Sequence, residues 1–176
     1  MEKRDLYDIN RNFTGKSIYK GEPIPEGCYI NVVVIFIQNS EGKFLTQKRV
    51  PRKNGKYAST GGHPKAGETS IEGIVTEVKE ELGLDINPDN LVLYFAGRED
   101  NEQVFYDDYY LKMDIDDLSK LQLQEDEVES VQWFSEEEIH NMMKEDKYFK
   151  NDYEEFVRLL DWLKGEKRWN QIRRKN

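Results

Sequence analysis

Five apolar positions, Ile71, Ile74, Val75, Val78 and Leu82, recur at the three- and four-residue spacing of a helix. At about 100° per residue they fall within roughly one third of the circumference, so the pattern predicts an amphipathic helix with one face to bury. Thr69 and Glu72 have the capping-box spacing that starts such a helix near Ser70, and Gly83 stands where a left-handed cap would stop it. From Tyr29 to Gln38 the period disappears: the run is β-branched and nearly all apolar, as in a central strand buried on both faces. Asn39-Ser40-Glu41-Gly42 supplies turn chemistry, and Lys43 to Val50 reads as the returning strand. Asn87-Pro88-Asp89-Asn90 turns the chain into a strand from Leu91 to Ala96, followed by a charged loop from Arg98 to Gln103. Val104 to Met113 alternates imperfectly, with Phe105, Tyr109, Leu111 and Met113 on one face and Tyr106, Asp108 and Tyr110 on the other. Leu6–Ile9 and Ser17–Lys20 predict a hairpin through Asn12-Phe13-Thr14-Gly15. Two further helices are expected: Ser135 with Glu138 caps one that runs to about Met143, and Asp152 with Glu155 has similar spacing ahead of an apolar stripe of Phe156, Leu159, Leu160 and Leu163.

A length of 176 residues predicts one domain with a sizeable core. We expect residues 1–164 to form it, with 1–28 as an N-terminal hairpin extension and 165–176 as a basic tail. The longest apolar run, Val32 to Ile37, is too short to span a membrane, and the charged start lacks the apolar core of a signal peptide. Cys28 is the only cysteine, so no internal disulfide can form. Together these lead us to expect a cytoplasmic protein. A net charge of −9 argues against broad nucleic-acid binding, which depends on Lys and Arg displacing counterions from phosphate.

The charge also changes the picture on the first helix, where Glu77, Glu80 and Glu81 share one patch away from the apolar stripe. Like charges so placed repel, and a hard divalent cation with its preference for oxygen ligands would offset the repulsion. On the helix alone, a solvated acidic face is the competing reading. An anionic phosphate substrate could approach these acids only with cations between them.

The wider spacing decides between the two. Gly62, five residues, Glu68, seven residues and then Thr76-Glu77-Val78-Lys79-Glu80-Glu81-Leu82-Gly83-Leu84 resembles the signature of the Nudix hydrolases, Gly-x5-Glu-x7-Arg-Glu-U-x-Glu-Glu-x-Gly-U with U aliphatic. Gly62, Glu68 and Gly83 match its structural positions; Thr76 departs from it, standing where the family has an Arg that braces the box carboxylates.

The resemblance implies an α/β fold, an α/β/α sandwich around a mixed β-sheet, and hydrolysis of a diphosphate linked to another moiety. It implies that Glu77, Glu80 and Glu81 bind Mg²⁺ or Mn²⁺, joined by the carbonyl of Gly61. Asp126-Glu127-Val128 ahead of Trp133-Phe134 resembles the family's late loop, making Glu127 a fourth acid, as ligand or base, with Glu125 and Glu129 as its neighbours on the same side. The catalytic acids are then Glu77, Glu81 and Glu127, and the general base stays open between Glu77 and Glu127. Arg49, with Lys48 beside it, corresponds to a strand end that borders the family's substrate cleft, where a guanidinium can grip phosphate. The partner is a small-molecule diphosphate, with neither nucleic acid nor membrane involved, and the family often forms homodimers.

Two other readings start from the same residues. Ser59-Thr60-Gly61-Gly62-His63-Pro64 and the leading segment resemble isopentenyl-diphosphate isomerase, but Gly61 occupies the place of that enzyme's catalytic Cys, and residues 29–33 lack its metal-binding histidines. Thr76 in turn motivates a non-catalytic domain that binds a nucleotide metabolite, against which stands the retention of all the box glutamates.

Overall fold

A computed structural model describes residues 2–173, with side chains to Glu166. Two short strands, β1 (Lys3–Tyr7) and β2 (Phe13–Tyr19), form an antiparallel hairpin. The other seven make one mixed sheet: β3 (Ile30–Gln38), β4 (Phe44–Arg49), β5 (Tyr57–Ala58), β6 (Thr60–Gly62), β7 (Val92–Glu99), β8 (Val104–Lys112) and β9 (Val128–Phe134). β3 is central. It runs parallel to β8 in unbroken register from Ile30↔Val104 to Gln38↔Lys112, and antiparallel to β6 through Val33↔Gly62 and Val34↔Gly61. β4 pairs with β3 only at Gln38↔Phe44, then splays away to pair with β9 and β5. That divergence opens the sheet where β6 and β4 face each other.

The strand period of two assigns the two faces of β3 to different helices. Val33, Ile35 and Ile37 pack with Ile74, Val78 and Leu82 of α1 (Ser70–Leu82). Val34 and Phe36 pack with Ile139 of α2 (Glu136–Lys144) and with Phe156, Leu159 and Leu160 of α3 (Lys150–Arg173). A helix–sheet–helix sandwich results, which explains why the β3 run has no polar face. Both reciprocal capping boxes are present, at Thr69/Glu72 and Ser135/Glu138, and Gly83 closes α1 at φ 65°.

Several local expectations are corrected. Ile71 is 43% exposed and takes no part in the buried stripe, because in the first turn of α1 it is Ser70 that faces the sheet, its hydroxyl 2.7 Å from the Tyr109 hydroxyl of β8. The hairpin turns at residues 8–12, not 12–15: Asp8 Oδ1 accepts from the N–H groups of Asn10 and Asn12, and Arg11 takes a positive φ. β7 continues through Arg98 and Glu99 because both pair with β8, leaving a turn at 100–103. Asp152 caps nothing. It lies inside α3, buried, and accepts from the N–H and hydroxyl of Ser59, both at 2.6 Å. The backbone of α3 runs on to Arg173, into the expected tail; the side chains of 167–176 lie outside the described residues.

Candidate active site

Where the sheet opens, a cavity of about 210 Å³ lies between the N-terminal hairpin, the end of β4, the β6–α1 loop and the loop before β9. Glu77, Glu80, Glu81, Glu127 and Gly61 line it. α1 supplies three of the acids because residues three and four apart share a face. β6 brings Gly61 and Gly62 against the middle of that face, and Glu127 arrives from the loop that leads into β9.

Each acid is held differently. Glu77 is half-buried, and its Oε1 accepts from the His63 N–H at 3.0 Å. Gly62 makes this seat: a Cβ at that position would stand 2.2 Å from Glu77 Oε1. Glu81 is 7% exposed and accepts from Gln47 Nε2 at 3.0 Å. Neither carboxylate has a Lys or Arg ion-pair partner among the described residues. Burial pushes the Glu77 carboxyl up to about 7 against the His63 N–H, and pushes Glu81 up to about 8 against the Gln47 amide. Glu80 is more exposed and turns to the Lys65 ammonium. Glu127 pairs with Lys53 at 2.9 Å. Among the described residues no three His, Cys, Asp or Glu side chains stand together so as to hold a metal ion by themselves.

Thr76 has a defined place. Its hydroxyl donates to Glu68 Oε1 at 2.8 Å, while Glu68 Oε2 accepts from the Lys65 N–H at 2.7 Å. The box glutamate farthest from the cavity is thereby tied to the loop that carries Gly62 and His63.

Arg49 lines the cavity, with its guanidinium over the Phe149 ring at 5.5 Å. Lys48 lies outside it, because successive strand residues point to opposite faces, and pairs with Glu129 at 2.8 Å. Glu129 is thereby committed elsewhere, and Glu125 does not line the cavity.

The structure adds two cations that sequence reasoning did not find, Arg4 and Lys20 from the hairpin, and Lys53 joins them from the basic segment after β4, a short 3₁₀ turn at the mouth of the cleft. Arg4 and Lys20 share one counter-charge, Glu2, at 3.5 and 3.3 Å, which leaves a net positive edge. Their signal was the leading segment itself, read as a hairpin extension and for its isomerase-like pattern but not as part of the site. His63, which sequence reasoning met only in the isomerase-like segment, lines the cavity too, and burial pushes its imidazole down to about 4, so it is neutral at pH 7.

Comparison with known proteins agrees with this architecture. The family model described as the NUDIX domain matches residues 29–160. The chain is 36% identical over 143 residues to an uncharacterised Nudix hydrolase of Listeria innocua, covering 79% of this chain and 83% of that relative. Its fold is similar to that of a Deinococcus radiodurans protein, with TM-score 0.71 and 22% identity over 89% of this chain and 98% of the other. It is also similar to a bifunctional NMN adenylyltransferase/ADP ribose pyrophosphatase of Francisella tularensis, solved with AMP and a Mn ion, with TM-score 0.58 and 18% identity over 81% of this chain and 43% of that one. At those identities the two structural likenesses bear on fold alone.

Proposed function

Because the chain belongs to the Nudix hydrolase family, we propose that it uses a divalent metal ion, Mg²⁺ or Mn²⁺, to cleave the diphosphate linkage of a nucleoside diphosphate joined to another moiety, or of a related organic diphosphate. One observation carries the reading: Glu77 and Glu81 face one cavity, satisfied by neutral donors alone. Two carboxylates with no cation beside them are costly to ionise together, and an oxygen-only donor set suits a hard dication. The residues therefore fit such an ion. Glu77, Glu81 and the Gly61 carbonyl would hold it, with Glu80 joining once Lys65 releases it. When bound, the ion would screen the acids from the phosphates and stabilise charge on the leaving group.

The remaining work falls to the chain itself. Arg4, Lys20 and Arg49 border the cavity where phosphate oxygens would lie, and a guanidinium grips them with paired donors. Lys53 balances Glu127 in the free protein; an arriving phosphate offers it a second anion and releases the Glu127 carboxylate. We assign Glu127 as the general base that takes the proton of the attacking water, since Glu77 and Glu81 are the acids left wanting a cation. Lys48 has no part in this scheme.

Space as well as sequence speaks against the isomerase reading. A Cβ at position 61 would stand 2.6 Å from the Val33 carbonyl oxygen, so a cysteine there would press on the β3 backbone. The test is phosphate release from a panel of nucleoside diphosphate derivatives with Mg²⁺ or Mn²⁺, beside Glu81→Gln. Turnover abolished by chelator and by the substitution is expected; no turnover of any compound would overturn the proposal.

A further inference from the structure

A second chamber of about 270 Å³ opens from the first and shares Arg49, Gly61, His63 and Glu81 with it. Its chemistry is different. Val32, Val34, Ala58 and the Phe149 ring make its walls, and one charged side chain, Asp152, reaches it from α3. Phe149 is fixed, because its N–H donates to Tyr57 O at 2.8 Å and its ring carries the Arg49 guanidinium.

Asp152 is 9% exposed, and both of its bonds from Ser59 end on Oδ2. Oδ1 accepts no hydrogen bond from the described residues, yet it is not among the sealed, unpartnered atoms of the interior, so it is reachable from the chamber that Asp152 lines. The Arg49 guanidinium attracts this carboxylate across the chamber and Gln47 lines it too, but neither donates to Oδ1, so the oxygen is an acceptor awaiting a donor, and leaving it unmatched in a complex is costly. At this size, below the usual 300–1,000 Å³ of sites for drug-sized ligands, the chamber suits one flat ring system and not a long chain.

We propose that this chamber receives the organic group attached to the diphosphate, that the group is a nucleobase-like heterocycle stacked near Phe149, and that Asp152 selects heterocycles presenting an amino N–H over those presenting a carbonyl at the same position. The inference rests on the hydrolase reading for its diphosphate, but its own subject is the recognition of the base. An apolar alcohol diphosphate would fill the walls and strand Oδ1, which sets it outside the selected class.

The Asp152→Asn variant gives the decisive contrast. The Ser59 backbone N–H needs an acceptor, so it retains the one amide oxygen, and the new NH₂ faces the chamber. A donor then replaces an acceptor. Calorimetry on the full chain without metal, using AMP against IMP and CMP against UMP, reads the consequence directly. For at least one pair the unsubstituted chain is expected to bind the amino member ten- to a hundredfold tighter, the range for a hydrogen bond to a charged group. In Asp152→Asn the ratio is expected to reverse, which a merely structural anchor of α3 would not produce. Equal binding within both pairs, no binding of any monophosphate, or an unchanged ratio in the variant would overturn the proposal. Should circular dichroism show that Asp152→Asn does not fold, Phe149→Ala tests the same chamber: at least tenfold weaker binding of the preferred monophosphate is expected, and unchanged binding would refute it. Phosphate release is followed separately. Cleavage with no base preference sinks the selectivity alone, whereas a reversible preference without cleavage sinks the hydrolase reading alone.

Discussion

Gly62→Ala separates damage to the site from damage to the fold. The added Cβ would stand 2.2 Å from Glu77 Oε1, and the nearest atoms all belong to the carboxyl group, the movable end of a flexible side chain. To reach ordinary contact at 3.4 Å the carboxylate must retreat by about 1.2 Å, and a displacement of that size costs roughly a hundredfold in a positioned site. The retreat breaks the 3.0 Å bond from the His63 N–H, so stability should fall by only about 1–2 kcal/mol, or roughly 3–6 °C in Tm for a chain of this length. The neighbouring Gly61→Ala is the control. There the Cβ would meet the Val33 carbonyl oxygen at 2.6 Å and Val34 Cα at 3.1 Å, backbone atoms that cannot yield unless β6 parts from β3. Gly61→Ala should therefore lose about 3 kcal/mol or more, near 10 °C. Differential scanning calorimetry, Mn²⁺ titration and kcat/KM measured on both variants check the contrast. A Gly62→Ala chain with undiminished Mn²⁺ affinity and turnover would refute the seat assigned to Glu77.

Glu127→Gln should lower kcat by 10²- to 10⁴-fold while Mn²⁺ affinity stays within about threefold, as general-base loss predicts; a parallel loss of metal affinity would make Glu127 a ligand instead. Arg4→Met should raise KM about ten- to a hundredfold with kcat little changed, and an unaltered KM would remove the hairpin from the substrate site. Thr76→Val keeps the shape of the side chain but deletes its donor to Glu68, so Tm should drop by about 3–8 °C; no drop would mean that the 2.8 Å bond carries no stability. Burial pushes Asp108 and Asp152 up to about 6 and Glu155 up to about 9, so the folded state binds more protons than the unfolded chain. Their stabilising protonation is complete below about 4 and is lost as pH rises through these values. Thermal melts from pH 5 to 8 should therefore show Asp108→Asn losing less stability than the parent, and parallel curves would contradict that.

What the sequence made legible was local or strictly spaced. The ends of α1 follow from Thr69, Glu72 and Gly83, all within hydrogen-bond reach of their own helix. The acids on α1 share a face by helical geometry alone. The residues it left unread depend on partners distant in the chain. Arg4 reaches the cavity because the hairpin docks on the box loop, with Ala66 N–H donating to Lys3 O and Gly67 N–H to Asp5 Oδ2, each at 2.8 Å. No local pattern announces that docking. Lys48 and Arg49 had to face opposite ways, but which of them met the cavity depended on the splay of β4 towards β9. Asp152 looked like a cap because its true partner, Ser59, is 93 residues away.

Thr76 shows how one missing cation changes the electrostatics of the box without dismantling it. Every box glutamate has its own donor: the Thr76 hydroxyl and Lys65 N–H for Glu68, the His63 N–H for Glu77, the Lys65 ammonium for Glu80 and the Gln47 amide for Glu81. Orientation is thus supplied piecemeal by groups on β4, the β6–α1 loop and α1 itself. Charge is not, since of these donors only Lys65 is a cation, and it sits at the exposed edge. An arginine at position 76 would supply a fixed positive charge; with threonine there, neutralisation of Glu77 and Glu81 is left to protons in the free protein and, on the function proposed above, to metal in the working one. Metal uptake by this chain should therefore release protons near neutral pH. Titrating Mn²⁺ into weakly buffered protein with a pH electrode measures that release directly, and uptake without it would show that the two acids were already ionised.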